Sequence, residues 1–226
     1  RGTAFVTAYK AVPADLRSIG GPKDGWVQDS VVQEIDVATG KLLFEWHSLG
    51  NVPLSESLQA GSPSAKTASK KAPLDYFHVN SISDGPNGTI LVSARNTSTI
   101  YLLGRDGHVI WRLGGKHSQF GPKAAVTFYF QHDARLHPDG TLSLFDNGGI
   151  PRKEPHSRPL LLKVDQHAKR VTILKTFVAP TKIASPYEGD TELLPDGGAF
   201  VGWGGVPKLT EFAPDGKVRF QLSLPY

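Results

Sequence analysis

A turn of one kind recurs along the chain: Asp or Asn followed by Gly, and then a run of alternating or β-branched residues. It is found in "NGTILVSAR", "DGHVIWRLG", "DGTLSLFDN", "DGGAFVGWG" and "DGKVRFQLS". Asn-Gly and Asp-Gly favour the positive φ angles of tight hairpin turns, so each copy predicts a turn that leads into a β-strand. Because the segments between these turns show a period of two and no helical stripe, the sequence predicts an all-β chain.

Aligning the turns gives a repeating unit of four strands. The predicted first strands are "HVNSISD", "HDARLHP" and "GDTELLP", and each is joined to a second strand by the turn at Gly88, Gly140 or Gly197. Repeated four-stranded units of about 40 to 50 residues are typical of a β-propeller, in which each blade buries its faces against its neighbours. The predicted fold is therefore a β-propeller of four-stranded antiparallel blades.

The chain is predicted to form a single propeller domain over residues 1–226. Complete blades are expected at 75–117, 128–178 and 187–226. Residues 1–49 form a partial blade without a first strand, and 50–74, rich in Ser, Ala, Lys and Gly, is expected to be a flexible, solvated loop. About three and three-quarter blades are thus expected. Since the open edge of such an array invites aggregation, we expect the chain to be part of a larger propeller.

Composition excludes several classes of function. The 25 Lys and Arg and the 21 Asp and Glu give a net charge of +4, and the basic residues are scattered, so nucleic acid is not an expected partner. The absence of Cys excludes disulfides, thiolate metal sites and a Cys nucleophile. No apolar run approaches the roughly 18 residues that a membrane-spanning helix needs. No Met is present, so Arg1 is not expected to be the translation start.

Hairpin symmetry predicts which side chains meet at one mouth of the propeller channel. The first strand of a blade lines the channel and the second returns beside it, so the start of one and the end of the other share an end. Counting the same number of residues outward from each turn along both strands places His78 opposite Arg95 and His132 opposite Asn147. In the last blade Asp190 falls opposite Trp203, and in the partial blade Tyr9 takes the place of Arg95. The expected cluster is His78, Arg95, His132, Asn147, Tyr9 and Asp190.

The combination of His and Arg suits an anionic ligand. A guanidinium offers paired donors to a tetrahedral oxyanion, and a neutral imidazole can act as a nucleophile or a proton shuttle. These residues leave sulfate ester, phosphate ester and carboxylate open, as well as a structural role for polar groups at a solvated channel. Metal binding is not predicted, because no short-spaced ligand pair is present and "DGPNG" lacks the acidic spacing of an EF-hand.

Five stretches in order resemble the arylsulfotransferase family of bacterial and fungal propellers: "DYFHVNSI", "LVSARNTSTIYLL", "VIWRLGG", "QHDARLHPDGTLSLFDNG" and "TELLPDGGAFVGWG". The similarity runs from "TAFVTAY" to the final strand. It implies a six-bladed ring that moves a sulfuryl group from a phenolic sulfate to a phenol without the nucleotide sulfate donor or another cofactor. It also implies a ping-pong reaction through a sulfohistidine.

The resemblance assigns roles by motif. The histidine of "QHDA", His132, corresponds to the nucleophile, and the histidine of "DYFHVNS" and the arginine of "SARNT", His78 and Arg95, correspond to the residues that bind the sulfuryl group. His78 is also a candidate acid or base toward the phenol oxygen. The expected substrate-binding residues are Asn147, Tyr9, Asn80 and Asp190.

Three further expectations follow from the resemblance. Members carry another histidine in a blade that would lie upstream of Arg1, so we expect the site to be completed by the remainder of the propeller. Members with a signal segment work outside the cytoplasm, which implies an extracytoplasmic location. The alternative is a non-catalytic propeller that binds a sulfated or other anionic ligand at the same channel mouth.

Overall fold

The computed structural model describes residues 2–121 and 126–225. In this part of the chain fifteen β-strands form four antiparallel sheets, with three strands in the first sheet and four in each of the others. The prediction of an all-β chain is therefore confirmed, and the strand numbers equal those expected for one partial and three complete blades. Strands that follow each other in sequence pair with each other, so every sheet is a meander.

The first two sheets occupy the first half of the chain. The first sheet consists of β1 (Thr3–Ala14), β2 (Gly25–Asp36) and β3 (Leu42–His47). The second sheet consists of β4 (Val79–Asp84), β5 (Ile90–Ala94), β6 (Thr99–Leu103) and β7 (Val109–Gly114). Every residue of β5 and β6 is buried. The two central strands of this sheet are therefore covered on both faces. This explains why their apolar residues form a continuous run and do not alternate with polar residues.

The third and fourth sheets repeat the pattern. The third sheet consists of β8 (His132–Leu136), β9 (Thr141–Asp146), β10 (Arg158–Asp165) and β11 (Arg170–Thr176). The fourth sheet consists of β12 (Asp190–Leu193), β13 (Ala199–Gly202), β14 (Lys208–Phe212) and β15 (Val218–Ser223). The strands β4, β8 and β12, each the first of its sheet, follow one another across the structure, since β8 contacts both β4 and β12.

Helical structure is limited to single turns. The described residues contain 3-10 turns at Arg17–Ile19, Leu54–Glu56 and Pro86–Gly88 and one α-helical turn at Pro63–Lys66. None of these is long and apolar enough to cross a membrane.

The segment 50–74 differs from the expectation of a solvated loop, because it is packed against the first two sheets. Val52, Ala65 and Leu74 are almost fully buried and belong to the apolar core between these sheets. Leu74 also exchanges backbone hydrogen bonds with β2, accepting from the Gln28 N–H at 2.9 Å. The expectation weighed the Ser and Lys content of the segment, most of whose residues are indeed exposed or half-buried, whereas a few well-spaced apolar residues anchor it.

The core consists of three apolar clusters, one between each pair of neighbouring sheets. The cluster between the third and fourth sheets contains Phe145 of β9 and Trp203 at the end of the hairpin that begins with β12. Their rings meet edge to face with centroids 5.7 Å apart. Sheets stacked face to face through such cores are the packing arrangement of propeller blades. Closure into a six-bladed ring stays a prediction.

We expect Phe145→Ala to lower the free energy of unfolding by about 3–5 kcal/mol, because the fully buried ring has no replacement between the third and fourth sheets. Ile173→Ala, at an exposed position of β11, is the matched control and should change it by less than about 0.5 kcal/mol. Urea unfolding followed by circular dichroism measures both. Equal effects of the two substitutions would contradict the proposed packing.

Candidate functional site

The predicted opposition of His78 and Arg95 is present in the structure. His78 immediately precedes β4 and Arg95 immediately follows β5, and the Arg95 N–H donates to the His78 carbonyl at 2.9 Å. His78 has a φ of +59°, a left-handed conformation that a non-glycine residue seldom adopts. The end of the first hairpin of the second sheet therefore presents an imidazole and a guanidinium side by side.

His132 and Asn147 also meet, although not by the register that the sequence predicts. A β-bulge between His132 and Arg135 shifts the pairing, so that His132 lies opposite Phe145. The side chains nevertheless come together beyond the end of β9, with His132 Nδ1 2.8 Å from Asn147 Oδ1. The expected contact is confirmed, while the expected strand register is wrong by two residues. Arg135 pairs with Ser143, already one residue from the predicted register, and the bulge adds the second.

Asn147 determines which ring nitrogen of His132 carries the proton. Its Nδ2 donates to two carbonyls, those of Ser185 at 3.2 Å and Glu188 at 2.9 Å, so its Oδ1 is the atom that faces His132. His132 Nδ1 is also 3.0 Å from the Phe130 carbonyl. Both neighbours of Nδ1 are acceptors only, so Nδ1 carries the hydrogen and Nε2 carries the lone pair.

The imidazole of His132 is held neutral. The residue is 9% exposed, and burial lowers its pKa to about 4 against the two hydrogen bonds that favour the charged form. The positive charges of Arg95 and His78 lower this pKa further. Nε2 accepts one hydrogen bond from the Glu188 N–H, at the long distance of 3.3 Å. His132 thus has the charge state and tautomer of a nucleophile throughout the neutral pH range.

His78 has a partner that sequence analysis missed. Its Nδ1 forms a short ion pair with Asp75 Oδ2, three residues earlier in "DYFH". The second oxygen of Asp75, Oδ1, is buried and has no hydrogen-bond partner among the described atoms. The spacing of a carboxylate three residues before a candidate catalytic histidine is the signal that would have identified it.

Arg95 is fixed by stacking and by an amide. Its guanidinium carbon lies 4.2 Å from the centre of the Phe130 ring, and its Nη1 donates to Asn96 Oδ1 at 2.9 Å. Burial lowers the pKa of Arg95 and the charge of Asp75 opposes this shift, so the group stays protonated. Since Phe130 also supplies a carbonyl to His132, this residue connects the arginine of the second sheet with the histidine of the third.

Tyr9 and Asn80 lie close to the same residues. The Tyr9 hydroxyl donates to the Val79 carbonyl at 2.5 Å, and its ring centre is 6.2 Å from that of His78. Asn80 Nδ2 donates to the Gln131 carbonyl at 2.7 Å, which ties β4 to the residue before His132. Its Oδ1 is buried without a hydrogen-bond partner among the described atoms. Tyr9 of the predicted cluster therefore lies beside His78, and Asn80, an expected substrate-binding residue, contacts the residue that precedes His132.

Asp190 departs from the predicted cluster. It pairs with Gly202 and not with Trp203, and partial burial together with repulsion from Asp133 raises its pKa. Within the described residues it shares no hydrogen bond or ion pair with either histidine or with Arg95. The acidic groups Asp133 and Glu192 act on it, together with the basic Arg135. Its proposed role in substrate binding stays a prediction.

Unusual backbone conformations concentrate around the two histidines. Besides His78, the non-glycine residues with positive φ include Phe130 (+57°), Asp133 (+52°) and Glu188 (+58°), which flank or contact His132. Such conformations cost about 1–3 kcal/mol each and are found mainly at functional sites. Among the described residues no group of three or more His, Asp or Glu is arranged to hold a metal ion.

The family model described as Arylsulfotransferase (ASST) matches residues 1–224, essentially the whole chain. The chain belongs to the arylsulfotransferase family. This confirms the resemblance read from the five motifs. The two histidines and the arginine lie near one another, since the charges of Arg95 and His78 both act on His132.

Solved structures similar to this arylsulfotransferase-family chain are distant in sequence. A protein of unknown function from Bacteroides caccae has a TM-score of 0.50 and 16% identity, over 86% of this chain and 54% of that chain. The WD40 β-propeller domain of Doa1 has a TM-score of 0.46 and 15% identity, over 90% and 52% of the two chains. Virginiamycin B lyase from Staphylococcus aureus has a TM-score of 0.44 and 12% identity, over 97% and 61%.

The first of these similarities concerns the fold alone, because its identity is far too low to transfer an activity. The chain spans about half of the length of the Bacteroides caccae and Doa1 proteins, 54% and 52% respectively. No curated protein matches the chain.

We expect His132 to titrate near pH 4, well below the ordinary histidine pKa of about 6.5, because its imidazole is buried beside Arg95 and His78. The imidazole is then neutral above this pH and gains its proton only as the pH falls through the folded-state pKa. NMR titration measures this, with the resonance assigned by its loss in His132→Asn. The chain unfolded in urea is the control and should give the ordinary value. A native pKa near 6.5 would contradict the described burial.

Proposed function

We propose that the protein is an arylsulfotransferase that moves a sulfuryl group from a phenolic sulfate ester to a phenol, without a nucleotide sulfate donor, through a sulfohistidine on His132. The observation that carries this proposal is the state of the His132 imidazole: neutral, with hydrogen on Nδ1 and the lone pair on Nε2. Family membership supplies the reaction class. The sulfohistidine intermediate and the identity of the sulfate donor are part of this proposal.

In the first half-reaction the Nε2 electron pair of His132 attacks the sulfur, and the bond from sulfur to the phenolic oxygen breaks. The imidazole becomes a cation as the new N–S bond forms, and the hydrogen bonds from Nδ1–H to Asn147 Oδ1 and the Phe130 carbonyl stabilise that charge. In the second half-reaction a phenol oxygen attacks the same sulfur and His132 is released in its original state.

The reaction also requires stabilisation of the negative charge on the sulfuryl oxygens, and the guanidinium of Arg95 supplies it. Its guanidinium is held in one place by Phe130 and Asn96, so donors aimed at the oxygens need no reorganisation during the reaction. The Glu188 N–H, 3.3 Å from Nε2, is a further donor beside the position where the sulfur would bind. We assign substrate contacts to Tyr9 and Asn80 as well, the half-exposed Tyr9 ring being suited to stack on a phenol.

Several aspects of the proposal concern the protein as a whole. Since the chain spans about half of the length of two structural relatives, we propose that the remainder of a larger propeller completes the site. We also propose an extracytoplasmic location, with phenolic sulfates and phenols as the small-molecule partners. The proposed location and these partners rest on family membership.

A non-catalytic sulfate-binding propeller is the second candidate, and one observation favours it. The lone pair of His132 Nε2 already accepts a hydrogen bond from Glu188, so the nitrogen is not entirely free to attack. In that case the same mouth would bind an anion through Arg95 and leave it unchanged.

The test is phenol-dependent release of 4-methylumbelliferone from its sulfate by the full-length protein. We expect His132→Asn to lower the rate at least about 10³-fold, because no other group replaces the nucleophile. His167→Asn, in an exposed outer turn, is the matched control and should retain the wild-type rate.

Absence of turnover by the wild-type protein, with sulfate-ester binding that survives His132→Asn and fails in Arg95→Ala, would reject the sulfotransferase and establish the binding propeller. Turnover that persists in His132→Asn would reject the sulfohistidine.

A further inference from the structure

The two histidines of the site differ in the partner of Nδ1. His132 Nδ1 donates to the neutral amide oxygen of Asn147, 2.8 Å away. His78 Nδ1 is paired with the carboxylate oxygen Oδ2 of Asp75. In both rings the partner is an acceptor, so Nδ1 carries hydrogen and the chemistry is left to Nε2. The difference between the rings is therefore one of charge and not of tautomer.

The charge of the group that contacts Nδ1 decides whether each imidazole is suited to proton transfer or to nucleophilic attack. A carboxylate stabilises the imidazolium through an ion pair, whereas an amide offers only a dipole. The solvent exposure differs in the same direction, since the side chain of His78 is 37% exposed and His132 is 9% exposed as a residue. His78 is consequently the ring that combines a carboxylate partner with access to solvent, and His132 is the ring that remains a neutral nucleophile.

We propose that Asp75 is a positioning residue that makes His78 the proton-transferring group of the reaction, and that the pairing of Asp75 with His78 and of Asn147 with His132 separates proton transfer from nucleophilic attack. This inference rests on the proposed sulfuryl transfer and deepens it. It assigns a function to a residue that the sequence motifs leave unassigned.

The proton and electron balance is complete in both half-reactions. In the first, the Nε2 pair of His132 forms the N–S bond, the S–O bond breaks, and the leaving phenol oxygen takes the proton from Nε2 of protonated His78. In the second, neutral His78 removes the proton of the acceptor phenol as its oxygen forms the new O–S bond and the N–S bond breaks. His132 and His78 then return to their starting states.

The buried second oxygen of Asp75 supports a functional role. Asp75 Oδ1 has no hydrogen-bond partner among the described atoms, an arrangement that costs free energy and gives no packing advantage. Hydrogen on the Nδ1 of His78, held against Asp75 Oδ2, is the one hydrogen-bond partner of this carboxylate's side-chain oxygens among the described contacts. A side chain that only tied down the loop would be expected to use both oxygens.

Other groups that face His78 come from each neighbouring element. Tyr9 of β1 lies with its ring centre 6.2 Å away, and Arg95 follows β5. His132 belongs to the third sheet, and the charge of His78 acts on its pKa. Asp75 is the anion in this group, and its charge is also felt by Tyr9 and Arg95. The test therefore uses the acidity of the acceptor as well as pH.

The experiment separates the half-reactions in the full-length protein with Asp75→Asn. Formation of sulfohistidine from 4-nitrophenyl sulfate should change less than about threefold, because 4-nitrophenolate leaves readily without a proton. Transfer to unsubstituted phenol should fall about 10²-fold, the usual contribution of general acid–base catalysis. Transfer to acidic phenols should fall much less, so the rate should depend more steeply on acceptor acidity than in wild type.

Asp106→Asn is the matched control, because Asp106 forms the same contact with Nδ1 of His108 at an exposed turn. It should leave both half-reactions unchanged. His78→Gln should reproduce the acceptor-dependent loss, and adding Asp75→Asn to it should cause no further loss in the second half-reaction.

An equal loss in both half-reactions, or none with any acceptor, would overturn the proposal. If wild type forms no sulfohistidine, the proposed function itself fails, which is a separate result. Circular dichroism shows whether Asp75→Asn folds, and if it does not, Asn147→Asp tests the same principle. A carboxylate partner should raise the pKa of His132 above the wild-type value of about 4. It should also slow the first half-reaction at neutral pH. An unchanged pKa and rate would overturn the proposal.

Discussion

The site depends on the orientation of a single amide, that of Asn147. Because both hydrogens of its Nδ2 are used by the carbonyls of Ser185 and Glu188, its oxygen can only face His132. The imidazole then has no choice of tautomer, and its lone pair lies on Nε2. The same amide joins the end of β9 to the segment before β12, so the third and fourth sheets are connected at the point where the nucleophile is oriented. The position and tautomer of His132 follow from this contact, and its neutral charge follows from burial, which outweighs the hydrogen bond from Nδ1 to Asn147.

The fold brings these groups together by repetition. The strands β4, β8 and β12 each come first in their sheets, and β8 contacts both of the others. Residues at or before these strands therefore become neighbours although they are far apart in sequence, as Asn80 with Gln131 and Glu188 with His132 show. Several of them, including His78 and Glu188, have a left-handed backbone conformation. Burial between the sheets supplies the low dielectric that holds His132 neutral and that would strengthen a hydrogen bond or ion pair made to a bound anion. The stacking of the sheets therefore produces both the apolar clusters between them and the polar cluster that contains His78, Arg95 and His132.

Counting from the hairpin turns predicted the His78–Arg95 and His132–Asn147 contacts, because a regular antiparallel hairpin fixes which residues share an end. This counting failed where a hairpin departs from regular antiparallel pairing. The bulge after His132 shifts the register of the third sheet. In the fourth sheet Asp190 pairs with Gly202, one residue from the predicted partner Trp203. Asp75 was missed because it precedes any strand, where periodicity carries no information. The packing of 50–74 was missed because composition does not reveal which few residues find an apolar surface.

Direct detection of sulfohistidine tests the central claim of this account. The full-length protein is mixed with an aryl sulfate in the absence of acceptor, quenched at alkaline pH and digested, and the peptides are analysed by mass spectrometry and NMR. The account predicts one sulfuryl group, on Nε2 of His132, which is lost on addition of a phenol with formation of the new sulfate ester. A sulfuryl group on Nδ1 or on another residue would contradict it, as would transfer between phenols without any labelled peptide.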